Sequence, residues 1–257
     1  MSERPRDLRG GRDVVGGRRA AAEAIRAGHA QELLIARGAR GSQGLRAVLE
    51  AARAVGVPIR ETDRAELERS APDSQGVVAV VRLAGRGSPA TLGERELAEY
   101  AFDDEAIVVI LDGITDPQNL GAAARSAEAA GAAVLVSRVH RAAAVTPAAI
   151  RASAGALLHL PHARVANIPR AIQRLQDAGF FVVGLAGDAQ HDVFEEACPE
   201  GRVAIVIGSE GDGLARLTRE RCDTLVRLPM RGRVGSLNAS ASLAAALYAY
   251  VLPSRPR

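Results

Sequence analysis

The sequence predicts an α/β protein: a large unit built on a parallel sheet covered on both faces, preceded by a smaller α/β unit. Two observations predict it. From residue 106 onward, apolar runs rich in Val and Ile alternate with alanine-rich helical stretches. Before that, shorter segments of both kinds lead to Ala84-Gly85-Arg86-Gly87-Ser88-Pro89, which has the composition of a linker. With 257 residues and 47% hydrophobic composition, the chain can bury a substantial core, in one large domain or two smaller ones.

Residues 1–12 are polar, charged and glycine-bearing, and read as a disordered arm. In the first unit, 13–84, residues 20–27 and 45–55 have helical patterns, while 32–36, 57–60 and 76–83 read as strands. Residues 85–104 are expected to connect the units. In the second unit, 105–257, strands are expected at 106–111, 133–136, 180–185, 203–207 and 224–228. Helices are expected near 120–130, 148–154, 169–178, 214–221 and 237–252. The last of these is apolar on nearly every face, so it must be buried, in the core or against another subunit. Ligands of parallel sheets sit beyond the carboxyl ends of the strands, so the informative residues should follow each apolar run.

Every one of the 33 basic residues is arginine, and the net charge is only +3. Its distribution is uneven: residues 1–60 hold 12 Arg against 6 acids, and residues 201–257 hold 9 Arg against 4. Two basic ends suit a polyanion bound at both, although a solvated mixed surface accounts for the same counts. An aromatic content of 3% argues against a base-stacking platform. No apolar run reaches the roughly 18–20 residues of a membrane span, and the charged start has no signal-peptide character. Cys198 and Cys222 are too few for a disulfide framework and read as thiols in a reducing compartment, which places the chain in the cytoplasm. His159 and His162 flank Leu160-Pro161, but no further His or Cys stands at ligand spacing, so no metal site is expected. Neither a Walker motif nor GxSxG is present. Tyr248 and Tyr250 read as packing residues.

Three clusters follow the apolar runs. The first is Asp112-Gly113-Ile114-Thr115-Asp116-Pro117-Gln118-Asn119-Leu120-Gly121-Ala122-Ala123-Ala124-Arg125. Asn119 reads by default as a helix N-cap. Arg125, the one charge in a stretch of small residues, either points at an anion or is a plain surface arginine. The second is Gly208-Ser209-Glu210-Gly211-Asp212-Gly213-Leu214. Glycines after a buried strand let the backbone approach a ligand, but the spacing is not GxGxxG. Glu210 and Asp212 would repel a pyrophosphate there and would not repel a positive sulfonium. The third is Pro229-Met230-Arg231-Gly232-Arg233-Val234-Gly235-Ser236-Leu237-Asn238-Ala239-Ser240, a basic loop entering the last helix, with Ser236 as a reasonable N-cap.

Together these clusters resemble the three motifs of the SpoU (TrmH-type) ribose 2′-O-methyltransferases of the SPOUT class: Asn119-Leu120-Gly121-x-x-x-Arg125, then Gly208-Ser209-Glu210-Gly211-x-Gly213, then Leu228-Pro229-Met230 with Ser236-Leu237-Asn238-Ala239-Ser240. Order and spacing agree across roughly residues 105–252. The run Leu111-Asp112-Gly113-Ile114-Thr115-Asp116-Pro117 is most similar to the branch that methylates a guanosine of 23S ribosomal RNA. Ser74-Gln75-Gly76-Val77-Val78-Ala79 resembles the end of that branch's L30e-like substrate-binding domain, which would be residues 13–84. The resemblance implies S-adenosylmethionine as cofactor, a deep trefoil knot in the catalytic domain 105–257, and a homodimer with its active site near the interface.

The same resemblance implies site roles. Arg125, Asn119, Glu210, Ser236 and Asn238 would be catalytic. Backbone around Ala186, Gly187, Gly208, Leu228, Met230 and Leu237 would line the cofactor pocket, and Arg231 and Arg233 would touch RNA. Family accounts make the arginine the base. A guanidinium stays protonated in proteins, so Arg125 instead reads as a grip on phosphate and a stabiliser of the alkoxide. Alternatives within the class are a tRNA ribose methylase and an rRNA methylase conferring antibiotic resistance. Outside it stand a catalytically inactive RNA-binding protein of the same fold and a dinucleotide-dependent enzyme. The acids in the glycine loop disfavour the last.

Overall fold

The computed structural model describes residues 13–39, 42–82 and 91–254. The expected arm at 1–12 and the linker stretch 84–89 lie outside these residues. The chain divides into two compact units, one formed by 1–89 with 145–159 and the other by 90–144 with 160–257.

The first unit is a four-stranded mixed sheet with helices. In chain order it runs β1 (Asp13–Gly16), α1 (Arg18–Arg26), β2 (Ala30–Ala36), α2 (Gln43–Ala54), β3 (Ile59–Thr62), α3 (Arg64–Ser70) and β4 (Val77–Val81). The sheet order is β1-β4-β2-β3; β4 is antiparallel to both neighbours, and β2 and β3 are parallel. All five residues of β4 are buried, as a central strand requires. Strand β1 and helix α3 went unanticipated, because four residues of DVVG and a charged heptad carry too little periodicity to register. The segment 145–159, with α6 (Pro147–Ala152), belongs to this unit. There the Arg151 guanidinium donates to the Pro72 carbonyl, and His159 Nε2 lies 3.0 Å from Glu23 Oε2. A single cut near residue 84 would therefore not separate the unit cleanly, contrary to what the linker composition suggests.

The second unit runs β5 (Thr91–Leu92), α4 (Glu94–Ala98), β6 (Ile107–Asp112), α5 (Pro117–Ala129) and β7 (Val134–Arg138). After α6 come β8 (His162–Val165), α7 (Ile168–Asp177), β9 (Phe181–Leu185), β10 (His191–Asp192), β11 (Val203–Gly208), α8 (Arg216–Arg221), β12 (Thr224–Arg227) and α9 (Ala239–Ala246). Eight strands form one sheet in the order β10-β12-β9-β11-β6-β7-β8-β5, and every pair is parallel. Central β6 and β11 are buried along their whole length, as strands covered on both faces must be. Helix α7 shows why the flanking helices dock: Ile168, Ala171, Ile172 and Leu175 form one buried stripe, and Asn167 caps the first turn by accepting from Arg170 N at 2.9 Å.

Three expectations are corrected here. Residues 91–98, assigned to a linker, carry β5 and α4, because Leu97 is buried in the main core and β5 pairs with β8. Strand β8 was missed because HARV is short and half polar. The final helix is not continuous from 237 to 252: α9 gives way at Leu247–Val251 to a π-helical turn. Nor is it buried all round, since Tyr248 is exposed and only its hydroxyl is held, donating to Ala129 O at 3.2 Å.

His162 sits fully inside this sheet, with Nε2 2.8 Å from Ser137 Oγ. Burial, with the Arg164 charge nearby, pushes its imidazole down from 6.5 to about 4, so it is neutral in the folded protein. The unfolded chain takes up that proton first. Stability from this residue is complete above pH 6.5 and is lost as pH falls towards 4. We expect urea unfolding at pH 4.5 to show a loss of about 2–3 kcal/mol from this group, and His162→Gln to make the pH 7-to-4.5 difference correspondingly smaller. An unchanged difference in the variant would place the acid sensitivity elsewhere.

Candidate active site at the carboxyl edge of the sheet

Parallel strands put their carboxyl ends on one edge, and the loops after β6, β9, β11 and β12 gather there. Helix α5 follows β6 after a short turn. Pro117 opens it, and the Asp116 carboxylate caps it by accepting from Gln118 N at 3.1 Å and Asn119 N at 3.3 Å. Asn119, expected as the cap, is thus released for another task. The same correction applies at α9, where Asn238 and not Ser236 is the cap: its Oδ1 accepts from Ser240 N at 3.0 Å, Ala241 N at 3.3 Å and Ser240 Oγ at 2.6 Å. In both helices the residue immediately before the first helical position holds the orphan amides.

With the caps so placed, three side chains from three loops meet. Asn119 Nδ2 donates to Glu210 Oε1 at 2.9 Å, and Asn238 Nδ2 donates both to Asn119 Oδ1 at 2.9 Å and to the same Glu210 oxygen. Residues 91 and 119 positions apart in sequence are joined by single bonds.

The glycine loop after β11 is closed on itself: Ser209 N donates to Gly213 O at 3.2 Å, and Gly213 N returns to Ser209 O at 3.0 Å. Gly211 (φ 91°) and Gly213 (φ 67°) occupy the left-handed region that side chains disfavour. A Cβ on Gly208 would lie 2.0 Å from the Gly213 carbonyl carbon, so only glycine permits the loop to fold back over the strand end. The loop's exit is fixed by Asp112, a buried carboxylate at the end of β6 that accepts from Ala215 N at 2.9 Å.

Between these loops lies a cavity of about 530 Å³. It is lined by residues 185–187 after β9, 207–211 and Gly213 around β11, 226–230 around β12, and 235–237 with Ala239 and Ser242 before and in α9. Ala186, Gly187, Gly208, Leu228, Met230 and Leu237 all line it, as do Glu210 and Ser236. The wall includes backbone, small side chains, one carboxylate and one arginine, Arg227. Leu185 and Ile207 line it too and were not singled out from sequence; the signal that could have found them is their position at strand ends. Arg125, Arg231 and Arg233 are exposed and outside the wall. Arg125 makes no hydrogen bond or ion pair among the described residues. Cys222, half-buried, has its thiol pushed up to about 12 by burial and is no nucleophile. Among the described residues no group of three or more His, Cys, Asp or Glu is placed to hold a metal ion, and no helix is long and apolar enough to cross a membrane.

The double role of Asn238 makes it a test of how the loops are held. Asn238→Ala loses the cap and both ties and should cost about 1–2 kcal/mol in thermal unfolding. Asn238→Asp keeps the capping oxygens but sets a second carboxylate against Glu210. Its deficit at pH 7 should shrink as pH is lowered into the carboxylate range, whereas that of Asn238→Ala should not. Equal pH dependence in the two variants would show that the contact with Glu210 contributes nothing.

The model of the SpoU rRNA methylase family matches residues 106–248, and that of the RNA 2′-O ribose methyltransferase substrate-binding domain matches 14–85. The chain is 40% identical to the 23S rRNA (guanosine-2′-O-)-methyltransferase RlmB of Photobacterium profundum over 76% of this chain and 78% of that one. It is 37% identical to the protein of that name from Escherichia coli over 85% and 88%. Among solved structures, it is similar to the SpoU methyltransferase AviRb from Streptomyces viridochromogenes in complex with the cofactor AdoMet. There the TM-score is 0.72 and the identity 30%, covering 98% of this chain and 94% of that one. Matched along both its units, this chain belongs to the SpoU rRNA methylase family.

Proposed function

We propose that this protein is an S-adenosylmethionine-dependent RNA ribose 2′-O-methyltransferase acting on a guanosine of 23S rRNA. The observation that carries the reading is the cavity at the carboxyl edge, bounded by the Asn119–Glu210–Asn238 network. Its chemistry fits the cofactor. Gly208 leaves room for backbone to reach a ligand, and the Glu210 carboxylate on the wall favours a positive sulfonium over a pyrophosphate. Ala186, Gly187, Gly208, Leu228, Met230 and Leu237 would hold it. Bound there, the cofactor supplies an electrophilic methyl group.

The chain's own work is to present a ribose 2′-oxygen and manage its proton. Asn119 and Asn238, pinned by Glu210, offer fixed amide dipoles at the cavity's edge, and Ser236 adds a hydroxyl on its wall. Positioning of this kind converts a weak nucleophile into a well-aligned one. Arg125, an unpaired cation on α5, would grip the target phosphate and offset the charge on the emerging alkoxide. Arg231 and Arg233, exposed on the loop before α9, would contact RNA phosphates. Residues 13–84 would recruit the RNA, as the substrate-binding domain does in the family. The reading includes a knotted catalytic domain working as a homodimer in the cytoplasm, where ribosomal RNA is found.

Incubation of 23S rRNA transcript with methyl-labelled cofactor and the purified protein should yield one 2′-O-methylguanosine on nuclease mapping. Arg125→Ala should cut transfer by at least about a hundredfold while leaving S-adenosylhomocysteine affinity within about twofold of wild type, because Arg125 is outside the cavity wall. Label appearing on a base, or in tRNA and not in 23S rRNA, would overturn the assignment; normal turnover in Arg125→Ala would remove Arg125 from it.

A further inference from the structure

The first unit contains a second cleft, of about 570 Å³, wholly its own. Three arginines line it: Arg18 at the start of α1, Arg37 after β2 and Arg64 at the start of α3. Arg18 is half-buried, and its Nε has no hydrogen-bond partner although it is shielded from water. A buried donor left unmade costs about 1–3 kcal/mol, which an acceptor entering the cleft would offset. Arg64 is exposed and makes no hydrogen bond or ion pair among the described residues. Arg37 has a partner, Asp63, at 3.6 Å, but both side chains are about 70% exposed (70% and 72%), and such a pair holds weakly.

Among the described residues, no acidic and no aromatic one lines the cleft. It therefore offers charge without stacking. Gly38 (φ 73°) and Gly76 (φ 74°) turn the backbone at its wall, and among the described residues nothing lies within 4 Å of where a Cβ on Gly38 would stand, which leaves the main chain open to a ligand there. Helix α1 begins here behind Gly17 with no side chain capping its first amides, which adds partial positive charge at the same end.

We propose that this cleft seats a backbone phosphate of the RNA substrate, with Arg18, Arg37 and Arg64 as its clamp. The proposal rests on the reading of the chain as an RNA methyltransferase and locates the recruiting contact on the first unit. It commits to a phosphodiester within RNA. Free phosphate or a mononucleotide shares the chemistry but lacks the neighbouring contacts that three dispersed cations on one cleft would reward.

The test is binding of 23S rRNA transcript to the full chain across 50–200 mM salt. The double variant Arg37→Gln/Arg64→Gln removes two exposed cations that carry no packing. It should weaken RNA binding by about tenfold or more and lower the log–log salt slope by about 0.7–0.9, the loss of one phosphate contact. Arg26→Gln/Arg53→Gln makes the same change in net charge outside the cleft and should leave the slope within error of wild type. Gln75→Glu, at the exposed rim, should weaken binding without removing any arginine. S-adenosylhomocysteine affinity, read in parallel, should be the same in all variants. An unchanged slope in the cleft variant, or an equal fall in the control pair, would overturn the clamp. So would tight binding of inorganic phosphate or AMP alone. If the unaltered protein neither binds nor methylates the transcript, the functional reading itself fails; if it does both and the cleft variant matches it, only the clamp is lost.

Discussion

One oxygen atom organises the carboxyl edge of the large sheet. Glu210 Oε1 accepts from Asn119 on α5 and from Asn238 at the head of α9. Hydrogen bonds to a charged acceptor are roughly twice as strong as neutral ones, and here two of them converge. Without that carboxylate the Asn119 and Asn238 loops would keep only the bond between their own amides, and the glycine loop only the Asp112 contact at its exit. The glycine loop carries it into place, and the loop can do so because Gly208 tolerates backbone where any other residue would collide. Strand burial, loop closure, helix capping and cavity shape therefore form one dependent chain.

The capping pattern explains how polar side chains become available at that edge. A helix that starts at a strand end has amide groups to satisfy. If Asn119 served that need, its side chain would be occupied; Asp116 serves it, three residues earlier. Asn238 manages both tasks because an amide has two ends, the oxygen turned to its helix and the nitrogen to Glu210. An aspartate would cap equally well and could not donate. The requirement for Asn at this position is thus a requirement for a donor.

Much of this was legible before any coordinates. The parallel architecture followed from unbroken Val/Ile runs, and the strands 106–111, 203–207 and 224–228 lie where β6, β11 and β12 are found. The cavity-lining residues Ala186, Gly187, Gly208, Leu228, Met230 and Leu237 came from the resemblance to the family, and they lie beyond or near strand ends and before the last helix. What was not legible shares a cause: it depends on neighbours remote in sequence. Strand β8 is four residues with a histidine and an arginine, and it is a strand because β7 and β5 flank it. That Asn119 turns its side chain across to Glu210, 91 positions on, could not be read from its own segment. The breakdown of α9 into a π-helical turn at Leu247 has no signature in a run of Leu, Tyr and Ala. The Arg18–Arg37–Arg64 cleft joins three positions whose spacing matches no motif.

The assignment of residues 145–159 to the first unit bears on the order in which the chain can mature. Strand β1 begins at Asp13, yet α6, which packs on it, is made only after the β6–α5–β7 portion of the other unit has been synthesised. Domains emerging from a ribosome usually close in sequence, the earlier one first. Here the earlier one lacks a wall until residue 159 has been added. During that interval the part of β1 that α6 packs on stands open, and closing over an intervening loop of this length costs more entropy than a local contact would. The N-terminal unit is therefore first in sequence and not first to be finished.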